Sequence, residues 1–349
     1  MAPSPARCSV NCMRMHYPYD QLPAAGTAFE VAAGVRWLRM PLPFALDHVN
    51  LWLLADDDGW AAVDTGIALD AIKDTWTQLL GEYRLTRQFV THCHPDHLGL
   101  AAWLEQQSGA RLWITQGEFA IAHLLRAGID GFGYQAMVAF YARHGLDEAR
   151  LAALESRGHA FLRGVPEMPP SFIRLHDGDD ILIGGRHWRI ITGSGHSPEH
   201  AALYCDESRV LISGDMLLPR ITTNVHVGAA APENDALQEY LVSLERFLPL
   251  PPDTLVLPSH GKPFRGLHER IAQLQRHHAQ RCEVLLKAAA TPAPKSAAEL
   301  LPALFDRDIS DPHQLQFAMG ETIAHINYLT RRQRLLPEDD GRVLRYRAA

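Results

Sequence analysis

The amino-acid sequence predicts a layered α/β body that carries a helical insertion and ends in a helical module. Three observations predict it. Apolar segments of strand length, set apart by Gly, Asp or Pro turns, recur between residues 29 and 264 and alternate with amphipathic runs. Residues 116–170 break that rhythm with helical spacing, few strand signals and the aromatics Phe119, Phe132, Tyr134, Phe140, Tyr141 and Phe161. After Pro263 the composition turns helical.

The elements follow in order. Residues 1–28, rich in Pro and Ala, read as a loosely attached arm. Residues 35–40 alternate as a strand does, and 48–54 do so in part. Asp58-Gly59 supplies a hairpin turn into a strand at 60–64. In 68–80, Leu69, Ile72, Trp76, Leu79 and Leu80 share one helical face. Strands fit 87–91 and 110–114 around a helix-like run at 98–104. Gly128, Gly131 and Gly133 divide the insertion, which reads as a packed layer, a lid over a substrate pocket, or the surface of a homodimer. Strands resume at 172–175, 181–183, 188–191, 201–204 and 210–212, followed by a helix at 237–248 and a strand at 254–257. Helices fit 267–290, 296–304 and 312–332, and 333–336 with 342–346 form a hairpin around Asp339-Asp340-Gly341. Three helices and a hairpin make 265–349 a winged-helix-like module beside a body at 29–264.

Composition narrows the class. A hydrophobic share of 47% with 21% charged residues suits a soluble protein with an ample core. A net charge of -7 argues against bulk nucleic-acid binding. No apolar run reaches the ~18 residues of a membrane span, and residues 1–20 do not resemble a secretory signal. Five cysteines, an odd and small number, fit reduced thiols in a cytoplasmic protein. Cys8 and Cys12 have a metal-compatible spacing but no partner pair nearby, and read as tail.

The chemistry concentrates at His92-Cys93-His94-Pro95-Asp96-His97. Histidine and carboxylate are the ordinary ligands of zinc and related metals. The string lies between a strand and a helix, on a loop with a rigid frame. His92 and His94 alternate with Cys93, so both point one way and Cys93 packs inward. Asp96 and His97 follow the turn that Pro95 imposes. Two ligand pairs aimed at neighbouring points suggest two metals. Further ligands stand at other strand ends: Asp64-Thr65-Gly66, Gly195-His196-Ser197-Pro198-Glu199-His200, Gly214-Asp215 and His260-Gly261. Glycine beside each ligand would let the backbone approach a metal closely. His226, His277, His278 and His313 read as surface or helix-face residues.

The ordered set Asp64-Thr65-Gly66, His92-x-His94-x-Asp96-His97, His196, Asp215 and His260 resembles the five motifs of the metallo-β-lactamase fold superfamily, over about residues 30–264. The resemblance implies a four-layer αββα sandwich with the metals at one edge of its sheets. It implies that His92, His94 and His196 hold one metal, that Asp96, His97 and His260 hold a second, and that Asp215 bridges them. Asp64 and His200 would stand behind the ligands. The segment 214–220 and the C-terminal module resemble the branch that includes glyoxalase II and the LACTB-type hydrolases. The cofactors so implied are two divalent ions, zinc first, with iron or manganese as alternatives.

A metal-dependent hydrolase follows, in which a hydroxide bridging the two metals is the nucleophile. Asp96 or Asp215 would accept or relay a proton. By resemblance the substrate is a small molecule, a thioester or other carboxylic ester. Leu218 stands where quorum-lactone hydrolases carry tyrosine, and no large domain is inserted between Asp215 and His260 as in RNA-processing members. Two alternatives stay open: a phosphodiester hydrolase that meets single-stranded nucleic acid through Arg331, Arg332, Arg334, Arg342, Arg345 and Arg347, and a persulfide-dioxygenase-like enzyme with one iron.

Overall fold

Large apolar side chains on both faces of the strands dictate a layered packing. A computed structural model of the chain describes residues 14–24, 26–305 and 309–349. Cys8 and Cys12, with the start of the arm, lie outside the described residues.

The first sheet has seven strands in sequence order: β1 (Phe29–Ala32), β2 (Val35–Pro41), β3 (His48–Asp56), β4 (Gly59–Val63), β5 (Leu85–Phe89), β6 (Arg111–Thr115) and β7 (Ile173–Leu175). It is antiparallel from β1 to β4 and parallel from β4 to β7. Helices α1 (Asp70–Leu80), α2 (Pro95–Leu98) and α3 (Ala101–Ser108) serve the parallel crossovers. The second sheet runs β12-β11-β10-β9-β8, from β8 (Asp180–Ile183), β9 (Arg186–Gly193), β10 (His200–Cys205), β11 (Val210–Gly214) and β12 (Leu255–Pro258).

The inner faces meet through Trp37, Trp52, Val63 and Phe89 of one sheet and Trp188, Ile190, Leu203, Ile212 and Leu257 of the other. Each such side chain contributes roughly 1.5–3 kcal/mol on burial. The outer face of the first sheet packs Leu38, Leu51 and Leu53 against Ile72, Trp76 and Leu79 of α1. The outer face of the second packs Ala202, Tyr204 and Leu211 against α8 (Ala236–Glu245) and α9 (Leu267–Ala289). Two sheets between helical layers is the αββα arrangement expected. Asn50, buried in β3, locks the sheets at one end. Its amide donates to the carbonyls of Pro258 (2.8 Å) and Gly261 (2.7 Å), and its oxygen accepts from Trp37 (2.8 Å).

Residues 116–170 form α4 (Gln116–Ala127), α5 (Tyr134–Arg143), α6 (Glu148–Glu155) and α7 (Ala160–Gly164). Tyr141 and Leu154 of this cap join the core that α9 shares with α10 (Ala297–Phe305) and α11 (Pro312–Arg331). A small sheet, β13-β15-β14, completes the C-terminal module with β13 (Lys295–Ser296), β14 (Leu335–Asp339) and β15 (Leu344–Ala348).

Three details differ from the sequence expectation. Pro95 opens the separate short helix α2, because proline suits a first helical position. Ser296 does not start a helix but caps one: Glu299 returns a carboxylate to its backbone N–H (2.7 Å), and its main chain pairs with Arg345. The arm is not loose where it is described. His16 exchanges backbone hydrogen bonds with Arg265 (3.1 and 2.8 Å), and Tyr19 bonds to the Val31 carbonyl. No helix among the described residues is long and apolar enough to cross a membrane.

Candidate metal centre

Five loops at the ends of β4, β5, β9, β11 and β12 converge at one edge of the two sheets. Asp64 leaves β4 with a left-handed backbone (φ 65°), a conformation that Asp tolerates better than most residues. The glycines beside the ligands stand against protein neighbours. A Cβ on Gly214 (φ 53°) would stand 2.3 Å from His200, and one on Gly195 (φ 93°) 2.4 Å from the Ala236 carbonyl. They permit tight turns against protein neighbours.

Seven side chains come together in two groups. His92, His94, His196 and Asp215 offer ligand atoms that all lie within 4.8 Å of one another, and Asp96, His97 and His260 do the same. His92 Nε2 lies 2.9 Å from His94 Nδ1 and 3.2 Å from His196 Nε2. Asp215 faces both groups: Oδ2 is 3.4 Å from His196, while Oδ1 is 3.4 Å from His260 and 3.7 Å from His97. Asp96 Oδ2 stands 3.5 Å from His260 and 3.6 Å from His97.

Backbone and side-chain acceptors fix the tautomers. His196 Nδ1 donates to the Asn224 carbonyl (2.7 Å) and His260 Nδ1 to the His48 carbonyl (2.8 Å). His97 Nδ1 donates to Asp64 (2.8 Å). Each aims its Nε2 into the site, the usual device behind metal-bound imidazoles. Asp64 also accepts from the Thr91 amide (2.8 Å) and hydroxyl (3.0 Å), which holds the first residue of the His-rich loop.

The electrostatics favour cations. Burial lowers the His92 and His94 pKa values, and the neighbouring imidazoles lower them further, so both stay neutral. Burial also opposes charging His97, but Asp96, Asp64 and Asp215 outweigh it and raise its pKa to about 10. His260 is raised by Asp215 and Asp96 against the same burial cost. Buried carboxylates thus draw positive charge onto imidazoles. His97 Nε2 and Asp215 Oδ1 have no hydrogen-bond partner. Nitrogen and oxygen ligand atoms spaced 3.4–3.7 Å apart around Asp215 fit divalent ions that would displace those protons.

His200 is brought to the site but belongs to neither group. Its Nε2 accepts from the Asp215 backbone N–H (3.2 Å), and its ring stacks on His92. Cys93 is buried, its backbone N–H bound to Glu118. Glu118 was not legible as a site residue. Its buried carboxylate takes the Cys93 N–H (2.8 Å) and the Glu199 N–H (2.7 Å), tying the loop of His92–His97 to that of His196. His226 is also closer than expected. It lines a cavity with His94 and His196, and burial lowers its pKa to about 4.

That cavity has a volume of about 520 Å³. Ile121, Leu125, Phe132, Met137, Leu154 and Phe161 of the cap line it beside His94 and His196. Arg157 is the single Lys or Arg of the lining, and it donates to Gln316 of α11 (2.7 Å).

Comparison with known proteins accords with this geometry. The sequence pattern of the Metallo-beta-lactamase superfamily matches residues 45–260, and that of the Metallo-beta-lactamase-like, C-terminal domain matches residues 282–349. The crystal structure of a beta-lactamase domain protein from Burkholderia ambifaria superposes with a TM-score of 0.88 at 49% identity, covering 96% of this chain and 98% of that one. The probable metallo-hydrolase YqjP of Bacillus subtilis is 24% identical over 84% of this chain and 91% of its own length. The hydroxyacylglutathione hydrolase GloC of Haemophilus influenzae is 25% identical over 63% of this chain and 89% of its own. With a match over most of its length and a near-complete structural likeness, the chain belongs to the metallo-beta-lactamase superfamily, as a metal-dependent hydrolase.

Proposed function

We propose that the chain hydrolyses a thioester or other carboxylic ester of a small molecule with an apolar acyl group. His92, His94, His196 and Asp215 would hold one divalent ion, and Asp96, His97, His260 and Asp215 a second. The observation that carries this reading is the opening of that donor set into an apolar cavity. Two bound ions, zinc before iron or manganese, would supply hydroxide at neutral pH and polarise the scissile carbonyl.

The chain's own residues do the rest. His196, His260 and His97 keep their lone pairs aimed by the bonds at Nδ1. Asp215 divides its two oxygens between the groups and sets their separation. Asp96, 21% exposed against 10% for Asp215, is the better placed to exchange a proton with solvent. The cap side chains surround the acyl group and exclude water, which strengthens every electrostatic interaction inside. Arg157 meets an anionic end of the substrate.

The relative named hydroxyacylglutathione hydrolase favours a thioester. Against a nucleic-acid substrate stands the engagement of five of the six terminal arginines. Arg331 bonds to the Glu233 carbonyl, Arg332 to Asp235, Arg334 to Glu283, Arg345 to Asp340 and Arg347 to Glu338. The three helices and small sheet of the C-terminal module support its winged-helix-like reading.

The test is a panel of thioesters, lactones, phosphodiesters and persulfides, assayed with protein of known metal content. Thioesters or carboxylic esters are expected to turn over fastest. Phe161→Ala with Met137→Ala is expected to lower kcat/KM for long acyl chains by roughly tenfold or more, sparing short ones. Fastest turnover of phosphodiesters or persulfides would reject the proposal.

A further inference from the structure

A second cluster of metal-ligating side chains lies in the C-terminal module. His278 of α9 and Glu321 and His325 of α11 offer ligand atoms that all lie within 4.8 Å of one another, and all three residues are buried. Glu321 and His325 are one helical turn apart, so their side chains share a face. His278 enters from the facing helix.

Three features set this cluster apart from an ordinary buried polar contact. His278 Nδ1 stands 3.1 Å from His325 Nε2, between the 2.9 and 3.2 Å nitrogen separations of the His92, His94 and His196 group. His325 Nδ1 donates to the Glu321 carbonyl (2.8 Å), which leaves Nε2 as the lone pair facing His278. This is the device that aims His196 and His260. Glu321 is a buried carboxylate, yet no ion pair with Lys or Arg reaches it among the described residues. Burying an unpaired carboxylate is costly, and a cation beside it removes that cost.

We propose that His278, Glu321 and His325 form a third divalent-cation site, with a donor set of two imidazoles and one carboxylate that suits zinc. Three protein ligands leave a fourth position for water. The ion cross-links α9 to α11. It also reaches the catalytic edge: Glu321 Oε2 accepts from the Asn224 side chain (3.0 Å), and the Asn224 carbonyl orients His196. The rival reading is a hydrogen-bonded histidine pair with no ion. It leaves the buried Glu321 carboxyl with the Asn224 amide as its hydrogen-bond donor and no ion pair to Lys or Arg among the described residues.

Elemental analysis separates the two. The full chain, saturated with zinc and freed of loose metal by gel filtration, is expected to hold three ions. His278→Gln, which keeps a hydrogen bond to His325 but loses a strong ligand, is expected to hold two. A chain with His94, Asp215 and His260 all replaced by Ala, which leaves only two ligands in each edge group, is expected to keep one ion, lost when His278→Gln is added. Two ions in the unaltered chain, three in His278→Gln, or none in the chain with the triple replacement would overturn the proposal. If His278→Gln does not melt cooperatively, the counts in the other two proteins decide.

Discussion

Asp215→Ala is expected to lower kcat/KM on the preferred ester by ~10³-fold, because metal polarisation supplies several kcal/mol of transition-state stabilisation and each ~1.4 kcal/mol is a factor of ten. The size of the effect follows from geometry. Asp215 is the one side chain whose two oxygens face both ligand groups. Its removal would take a ligand from each proposed ion and leaves His97 and His260 with one carboxylate fewer. The backbone N–H that Asp215 donates to His200 is kept by alanine, so the turn after β11 survives. The measurement is steady-state kinetics with a metal count. The two edge ions should fall to one or none. Retention of both ions and of activity within tenfold would remove Asp215 from the centre.

The second large effect concerns a residue placed behind the ligands. Asp64→Asn is expected to weaken binding of the ion at Asp96, His97 and His260 by about 10–100-fold, with a similar loss of activity. Asparagine tolerates the positive φ of position 64 and keeps the side chain's shape, so backbone strain does not explain the loss. The change is in acceptors. Asp64 receives the Thr91 N–H, the Thr91 hydroxyl and His97 Nδ1. An amide offers one oxygen where the carboxylate offered two. Its NH2 group must then face a donor, or His97 must move its proton to the nitrogen that should carry the lone pair. Zinc competition titration reads the affinity. A second zinc bound as tightly as in the unaltered chain would show that Asp64 does not govern His97.

Much of the centre was legible because its ligands sit in short strings at strand ends. His92, His94, Asp96 and His97 need only one loop, and His196, Asp215 and His260 each follow an apolar strand. The strand and helix periods were equally plain: the expected helix at 312–332 is α11 at Pro312–Arg331. What holds the ligands in place was not legible, since it depends on partners far along the chain. Glu118 read as part of a helical insertion, yet its carboxylate serves backbone groups 25 and 81 residues away. Asn50 joins carbonyls 208 and 211 residues distant. A backbone N–H that needs an acceptor leaves no mark on the sequence. Some buried polar side chains do leave a trace: Asn50 interrupts an apolar strand, and Glu321 stands among small and apolar residues in GETIAHI. A polar group inside such a run needs a buried partner, but the run does not say which.

The most direct test is anomalous diffraction from zinc-loaded crystals, collected on either side of the zinc edge. Two peaks are expected at the sheet edge, about 3.5–4 Å apart, one among His92, His94 and His196 and the other among Asp96, His97 and His260, with Asp215 between them. A single peak there, or none at saturating zinc, would contradict a centre built for two ions.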